Sequence, residues 1–140
     1  IKAGRVDLRP GEIQTAILVP RAAYEGYRGH YIKYAMRNAM DIATTGCSVN
    51  CKLAPDGTVA DVRIAYGVAG PIPLRCPTAE AALRGKAPSR EAVDAFARSV
   101  LADVHPRDSW RASKAFREHL AVELARRAVE QSIHLAGGAV

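Results

Sequence analysis

The sequence contains no apolar run that approaches the roughly 20 residues of a membrane-spanning helix. It has no charged-then-apolar signal segment, and it begins with Ile1 rather than Met, which suggests a piece of a longer polypeptide. Cysteine is scarce, and an odd count of three without an export signal favours a reduced setting over a disulfide framework. We therefore expect a soluble, cytoplasmic domain and exclude membrane-spanning and disulfide-stapled secreted classes.

The sequence also lacks a recognisable metal centre or hydrolytic triad. Cys47 and Cys51 lie on a predicted strand, where four residues span about 13 Å, too far for both thiolates to bind one ion. None of the four histidines stands in a motif with a Ser or Cys nucleophile. Gly67–Gly70 follows a strand but leads into Pro71, which forbids the helix start of a phosphate loop. We expect no metal site, no catalytic residue and buried structural cysteines.

The charge pattern favours an ordinary solvated surface. The net charge of +6 is compatible with nucleic acid, an acidic partner or a phosphorylated cofactor. The basic residues are spread along the chain, however, and some have acidic neighbours at helical spacing, such as Glu123 with Arg127 and Arg126 with Glu130. Nucleic-acid binding is accordingly the weaker interpretation.

The first two thirds of the chain show the two-residue period of strands. Alternation predicts strands over Glu12–Val19, 31–36, 43–53 and 59–68, with Ala60, Val62, Ile64, Tyr66 and Val68 on one face of the last. Pro55-Asp56-Gly57 between the two longest runs is a turn, so these runs form an antiparallel hairpin.

The remainder shows the period of helices. A short helix is predicted over 78–84, a second after the N-cap Ser89, and a long third from near Ser109 or Ser113 to about Leu135. The inner side of the third helix is predicted to carry Phe116, Leu120, Leu124, Ala128 and Ile133. The lone Trp110 at its start is interpreted as a core or inter-domain contact rather than a ligand platform. Strands followed by helices indicate an α+β fold, a small antiparallel sheet with a helical layer on one face.

The connection between the second and third predicted strands is the best candidate for a binding site. It places Lys33, Arg37 and Asp41 at i, i+4 and i+8 between strands, where there is little room for a helix. A tight connection that carries two cations and a carboxylate is a place where a polar ligand can bind, although the same residues are also compatible with a solvated turn.

These residues also carry a family resemblance. The pattern Lys33-x-x-x-Arg37-x-x-x-Asp41-Ile42, followed by the hairpin that ends at Arg75, resembles the C-terminal domain of the flavin subunits of molybdenum hydroxylases, the CO dehydrogenase flavoprotein C-terminal domain. The segment from Asp103 to Arg117, with Pro-Arg-x-Ser-Trp-Arg-Ala-Ser-Lys-x-Phe-Arg, is similar to bacterial xanthine dehydrogenase FAD-binding subunits. The resemblance runs from about Val6 to Gly138.

The resemblance implies a three-stranded antiparallel sheet with a helical layer, packed against a flavin. It implies an oxidoreductase of purine metabolism in which a molybdopterin subunit hydroxylates the substrate, 2Fe-2S clusters pass electrons, and FAD hands them to NAD. By this resemblance, the residues that correspond to the flavin-side loop of the family are Lys33, Arg37, Asp41 and Ile42. Cations suit the carbonyl acceptors at the polar edge of the isoalloxazine ring and favour its reduction, while a carboxylate can accept from the ring or order the loop.

The sequence departs from the family pattern in having no glycine-rich loop for the FAD pyrophosphate. We therefore expect residues 1–20 to be a strand and linker leaving a central FAD-binding domain that is not in this sequence, and residues 21–140 to be the flavoprotein C-terminal domain. The piece alone is expected to be inactive and to hold FAD weakly or not at all. A non-catalytic protein-interaction module is the alternative, and a basic nucleic-acid-binding domain is a more remote one.

Overall fold

The computed structural model describes residues 4–140 as an α+β fold. Its four strands are β1 (Arg28–Tyr34), β2 (Thr45–Leu53), β3 (Val59–Gly67) and β4 (Leu74–Arg75). Its three α-helices are α1 (Pro77–Leu83), α2 (Arg90–Ser99) and α3 (Lys114–Leu135), and short 3-10 turns cover Arg21–Ala23 and Val100–Ala102. No helix in this part of the chain combines the length and apolarity needed to cross a membrane.

The strands form one antiparallel sheet in the order β1-β2-β3-β4. The predicted hairpin is confirmed, with Gly57 at φ 82° in the turn. A register shift at Lys52/Leu53 turns Val59 inward and leaves Ala60 exposed, so the prediction for Ala60 was wrong. The prediction for Val68 was also wrong, because the strand ends at Gly67 and Val68 adopts a positive φ of 67°. The two-residue strand β4 extends the three strands that the family resemblance implied.

One face of the sheet is buried beneath the helices. The core contribution of β2 and β3 consists of Cys47, Val49, Cys51, Val59, Val62, Ile64 and Tyr66. Helix α3 packs on β1 and β2, α1 packs on β3, and α2 packs on α1 and α3. The hydroxyl of Tyr66 donates to the carbonyl of Ala121 at 2.5 Å, and that of Ser132 donates to the carbonyl of Val49 at 2.9 Å, so polar contacts also join sheet and helix.

The three cysteines are free and buried, as predicted. Burial raises the pKa of Cys47 to about 12 and that of Cys51 to about 11, so both thiols are protonated and apolar in character at neutral pH. Among residues 4–140 no group of three or more His, Cys, Asp or Glu side chains could hold a metal ion.

The helix starts follow their capping residues. The Ser89 hydroxyl accepts from the amide of Ala92, and the Ser113 hydroxyl accepts from the amide of Phe116. The long helix therefore begins after Ser113, whereas Ser109 lies in a tight turn with Ala112.

Three further expectations were wrong. The segment Glu12–Val19 forms no strand, because a strand requires a hydrogen-bonded neighbour and no described part of this chain pairs with it. Phe116 is 41% exposed at the edge of the helical layer rather than inside it. Trp110 is 81% exposed and lies against the guanidinium of Arg111, so the core interpretation was wrong, whereas an inter-domain contact stays a prediction.

Candidate functional site

The predicted site lies on the connection between β1 and β2, which we call the 35–44 loop. Side chains alternate along β1, so Ile32 packs against the core while Lys33 points to the outer face, opposite Gly46 of β2. The loop is closed at its base by a hydrogen bond from the amide of Thr44 to the carbonyl of Tyr34 at 2.8 Å. The sheet therefore holds both ends of the loop, and Lys33 stands at its entrance.

Hydrogen bonds join the predicted charged residues to one another. The Lys33 ammonium donates to the carbonyl of Asp41 at 2.6 Å. The Asp41 carboxylate accepts from the backbone amides of Arg37 and Ile42, both at 2.9 Å, one on each oxygen. The Arg37 guanidinium donates to the carbonyl of Met40 at 2.6 Å. The structure thus gathers Lys33, Arg37 and Asp41 into a single exposed network, with Ile42 held through its backbone.

The Asp41 carboxylate organises this network electrostatically. Partial desolvation acts to raise its pKa, but the amides of Arg37 and Ile42 and the positive charge of Arg37 outweigh it, so the pKa of Asp41 lies below its ordinary value. The carboxylate is therefore ionised at neutral pH and holds the loop through both oxygens. Its side chain has no oxygen free of these backbone contacts.

The loop also presents apolar surface beside its charges. Met36, Met40 and Ile42 are exposed, Met40 by 95%. Met40 adopts a positive φ of 48°, a conformation that L-residues avoid unless the surrounding structure holds it. Two cations and three exposed apolar side chains thus share this connection between β1 and β2.

Arg117 of α3, which binds the backbone at the end of this loop, was missed in the sequence analysis. Its Nη1 donates to the carbonyl of Thr44 at 2.5 Å, across 73 positions of sequence. The one available signal was that Arg117 occupies the inner stripe of α3, three and seven residues before the buried Leu120 and Leu124. A charged residue at a core position indicates a specific buried contact.

Comparisons with known proteins identify the family of this chain. The family model of the CO dehydrogenase flavoprotein C-terminal domain matches residues 30–132. The chain is 41% identical over 135 residues to the xanthine dehydrogenase FAD-binding subunit of Escherichia coli O157:H7, covering 96% of this chain and 46% of that relative. It is 30% identical over 122 residues to the carbon monoxide dehydrogenase medium chain of Hydrogenophaga pseudoflava, covering 87% of this chain and 42% of that one.

A solved structure gives the same result at the level of the fold. The structure of carbon monoxide dehydrogenase from Hydrogenophaga pseudoflava, in a form that lacks the Mo-pyranopterin moiety of the molybdenum cofactor, superimposes with a TM-score of 0.72 and 33% identity. The match covers 80% of this chain and 38% of that chain. This chain spans less than half the length of the curated relatives that it matches. Since the family model covers most of the sequence and the fold agrees, the chain belongs to the CO dehydrogenase flavoprotein C-terminal domain family.

Proposed function

We propose that this chain is the flavin-facing C-terminal part of the FAD-binding subunit of a xanthine dehydrogenase-like molybdenum hydroxylase. The 35–44 loop, with Lys33 at its entrance, forms one wall around the isoalloxazine ring of an FAD that other polypeptide segments hold. The observation that supports this most directly is the hydrogen-bonded set of Lys33, Arg37 and Asp41 on an exposed loop. Membership of a flavoprotein family supports a flavin as the ligand of that set.

The donors on the loop fit the polar edge of a flavin ring. The ring presents carbonyl acceptors at that edge, so its partners must be donors. Lys33 uses one of its three N–H groups within the loop, and Arg37 uses one of its five, which leaves donors on both for a ligand. Because both Asp41 oxygens already accept backbone amides, we assign Asp41 to ordering the loop and the two cations to the ring.

The remaining contacts to the cofactor are assigned to other parts of the protein. FAD supplies reversible electron transfer when it is bound, and Lys33 and Arg37 supply a positive potential at its polar edge. The segment after β3 cannot cradle a pyrophosphate, because Pro71 and Pro73 follow Gly70 and no helix starts there. We propose that residues 1–20 lead out of a central FAD-binding domain and that residues 21–140 form the C-terminal domain. Alone, the chain is expected to be inactive and to hold FAD weakly, and stoichiometric flavin retained by the isolated chain would contradict this.

The same proposal assigns partners from the relatives. The solved carbon monoxide dehydrogenase from Hydrogenophaga pseudoflava is described by its molybdenum cofactor, of which that form lacks the Mo-pyranopterin moiety. By this likeness we propose that the complete subunit assembles with molybdopterin-binding and 2Fe-2S partners, and that its FAD passes electrons to NAD. The likeness to xanthine dehydrogenase FAD-binding subunits supports purine hydroxylation as the activity of the complete enzyme, and we propose a cytoplasmic location.

The exposed apolar residues near the amino terminus support docking onto another segment. Ile13, Ile17 and Leu18 are exposed, Ile17 by 80%. Apolar side chains in such number beside an unpaired backbone are typical of a surface that another domain or chain covers. A docking role of this kind coexists with the flavin role, since a domain that closes over a cofactor must also bind the domain that holds it.

Replacing Lys33 by Met in the complete subunit tests the flavin assignment. Losing a positive charge at the polar edge makes reduction less favourable, so the flavin midpoint potential is expected to fall, by roughly 30 mV if the interaction is worth about 1.4 kcal/mol. The matched control is Lys52→Met, a lysine that lies on the same outer face near Tyr27 rather than at the loop. A K33M enzyme with an unchanged potential and unchanged NAD reduction would refute the assignment.

A further inference from the structure

Arg117 is a buried cation that has no counter-ion among residues 4–140. It is 6% exposed, and its Nη1 and Nη2 donate to the Thr44 carbonyl and to the Ser109 hydroxyl, at 2.5 and 2.9 Å. It pairs with no carboxylate of residues 4–140. Its Nε and the hydroxyl of Thr44 are buried and find no hydrogen-bond partner within this range. A charge taken out of water in this way costs free energy until an anion and further hydrogen bonds satisfy it.

Two more arginines increase the positive potential at this point. Burial lowers the pKa of Arg117, and the charges of Arg107 and Arg111 lower it further. Arg111 lies over the ring of Trp110 at 4.2 Å, and Arg107 is exposed. The nearby carboxylate of Asp108 accepts from the amide of Lys114 at the start of α3. Arg107 and Arg111 thus add positive charge to the surroundings of Arg117, and none of the three forms an ion pair within residues 4–140.

A cavity lies beside these arginines. It has a volume of about 330 Å³, which is at the lower end of the range for small-ligand sites. Its walls are Val68, Gly70, Pro71, Pro106, Arg107 and Arg117. The two turns that form it are tied together by a hydrogen bond from the amide of His105 to the carbonyl of Ala69 at 2.8 Å.

The backbone around the cavity is also unusual. Val68 has a φ of 67°, a conformation that is strained for a β-branched residue. Strain of this kind persists where the surrounding structure enforces it, and it concentrates at ligand sites. The strained Val68, the cavity and the Arg117 guanidinium thus occur together, although the β3–β4 turn, the α2–α3 connection and α3 are separate segments of the chain.

We propose that this cavity binds a phosphate-type oxyanion, held by Arg117 and Arg107. A tetrahedral oxyanion accepts paired hydrogen bonds from planar guanidinium groups and neutralises their charge, which the residues of the described chain do not. Because Arg117 also fastens Thr44 at the base of the 35–44 loop, a bound anion stabilises the residue that anchors that loop. The inference depends only on residues of this chain and holds whether or not the loop faces a flavin.

The experiment compares phosphate with chloride at equal ionic strength, using the complete natural polypeptide that carries this sequence. Inorganic phosphate is the probe, with binding followed by phosphorus NMR line width and by the shift in melting temperature. The wild type is expected to bind phosphate saturably and to melt at a higher temperature as phosphate is added. Acetate is tested in parallel, because preferential binding of acetate would indicate a carboxylate site and overturn the proposal.

Two variants and one control make the test specific. Arg107→Gln removes an exposed charge, and Arg117→Lys keeps the buried charge while removing its planar fork; each is expected to weaken phosphate binding about tenfold or more. Arg90→Gln removes an exposed arginine that lines a separate groove between α2 and α3, and phosphate binding is expected to be unchanged. The proposal is overturned if added phosphate leaves the melting temperature of the wild type unchanged. It is also overturned if all three variants lose phosphate binding to the same extent.

Discussion

At the scale of single residues, the candidate site depends on one carboxylate more than on its cations. Asp41 holds the amides of Arg37 and Ile42, and its own carbonyl accepts from Lys33. Both cations are therefore positioned by contacts that begin at the same residue. The sequence singled out these three side chains as candidate ligand contacts, and that assignment stays a prediction. It left their roles open, because hydrogen bonds to the backbone of a turn have no signature in residue spacing.

Replacing Asp41 by Asn should loosen the loop. The two amides bind different carboxylate oxygens, so an asparagine places its NH2 donor against one of these N–H groups and also removes the charge. Hydrogen exchange at Arg37 and Ile42 is therefore expected to become faster. The control is Asp56→Asn in the β2–β3 turn, where the Asp56 carboxylate accepts from Thr58 at the opposite end of the hairpin. Equal exchange rates at Arg37 and Ile42 in D41N and wild type would show that the carboxylate does not order the loop.

The same carboxylate gives the loop a pH dependence with a definite sign. The pKa of Asp41 in the folded chain lies below its ordinary value of 3.8, so it stabilises the loop above that pH, and the effect is lost as the pH falls through the lowered pKa. Amide chemical shifts of Arg37 and Ile42 are expected to move only in acid. A transition near neutral pH would assign the ordering to another group.

At the scale of elements, long periodic segments were predictable and short or unpaired ones were not. The β2–β3 hairpin and α3 carry their periods over enough residues to be recognised, and Ser89 and Ser113 mark helix starts by their chemistry. The strand predicted over Glu12–Val19 was wrong, since alternation shows that a segment can form a strand but does not supply the partner that it needs. The register shift after Lys52 could not be predicted from the sequence of β2 for the same reason, because register is a property of two paired strands.

The start of α3 should contribute measurably to stability. Ser113→Ala removes the hydroxyl that accepts from the amide of Phe116, and the free energy of unfolding is expected to fall by about 1 kcal/mol. Urea titration measures this, with Ser48→Ala, a strand residue that caps no helix, as the control. If S113A and S48A unfold at the same urea concentration, the cap is energetically unimportant.

At the scale of the whole molecule, the chain has one buried core and two exposed segments, the 35–44 loop and the apolar segment around Ile17. The helical layer covers the inner face of the sheet, and Arg117 links α3 to the 35–44 loop. This link joins residues that the sequence separates by 73 positions, so no local pattern could predict it. The loop and the apolar segment around Ile17 remain exposed, and relatives of this family are more than twice as long as the matched region.

The most direct test of the proposed flavin site is a crystal structure of the complete subunit with FAD bound. We expect the Lys33 ammonium or the Arg37 guanidinium to lie within about 3.2 Å of an acceptor on the polar edge of the isoalloxazine ring. We also expect the Asp41 carboxylate to keep its contacts with the amides of Arg37 and Ile42. A structure in which both cations face solvent, with the ring enclosed by other residues, would contradict the account.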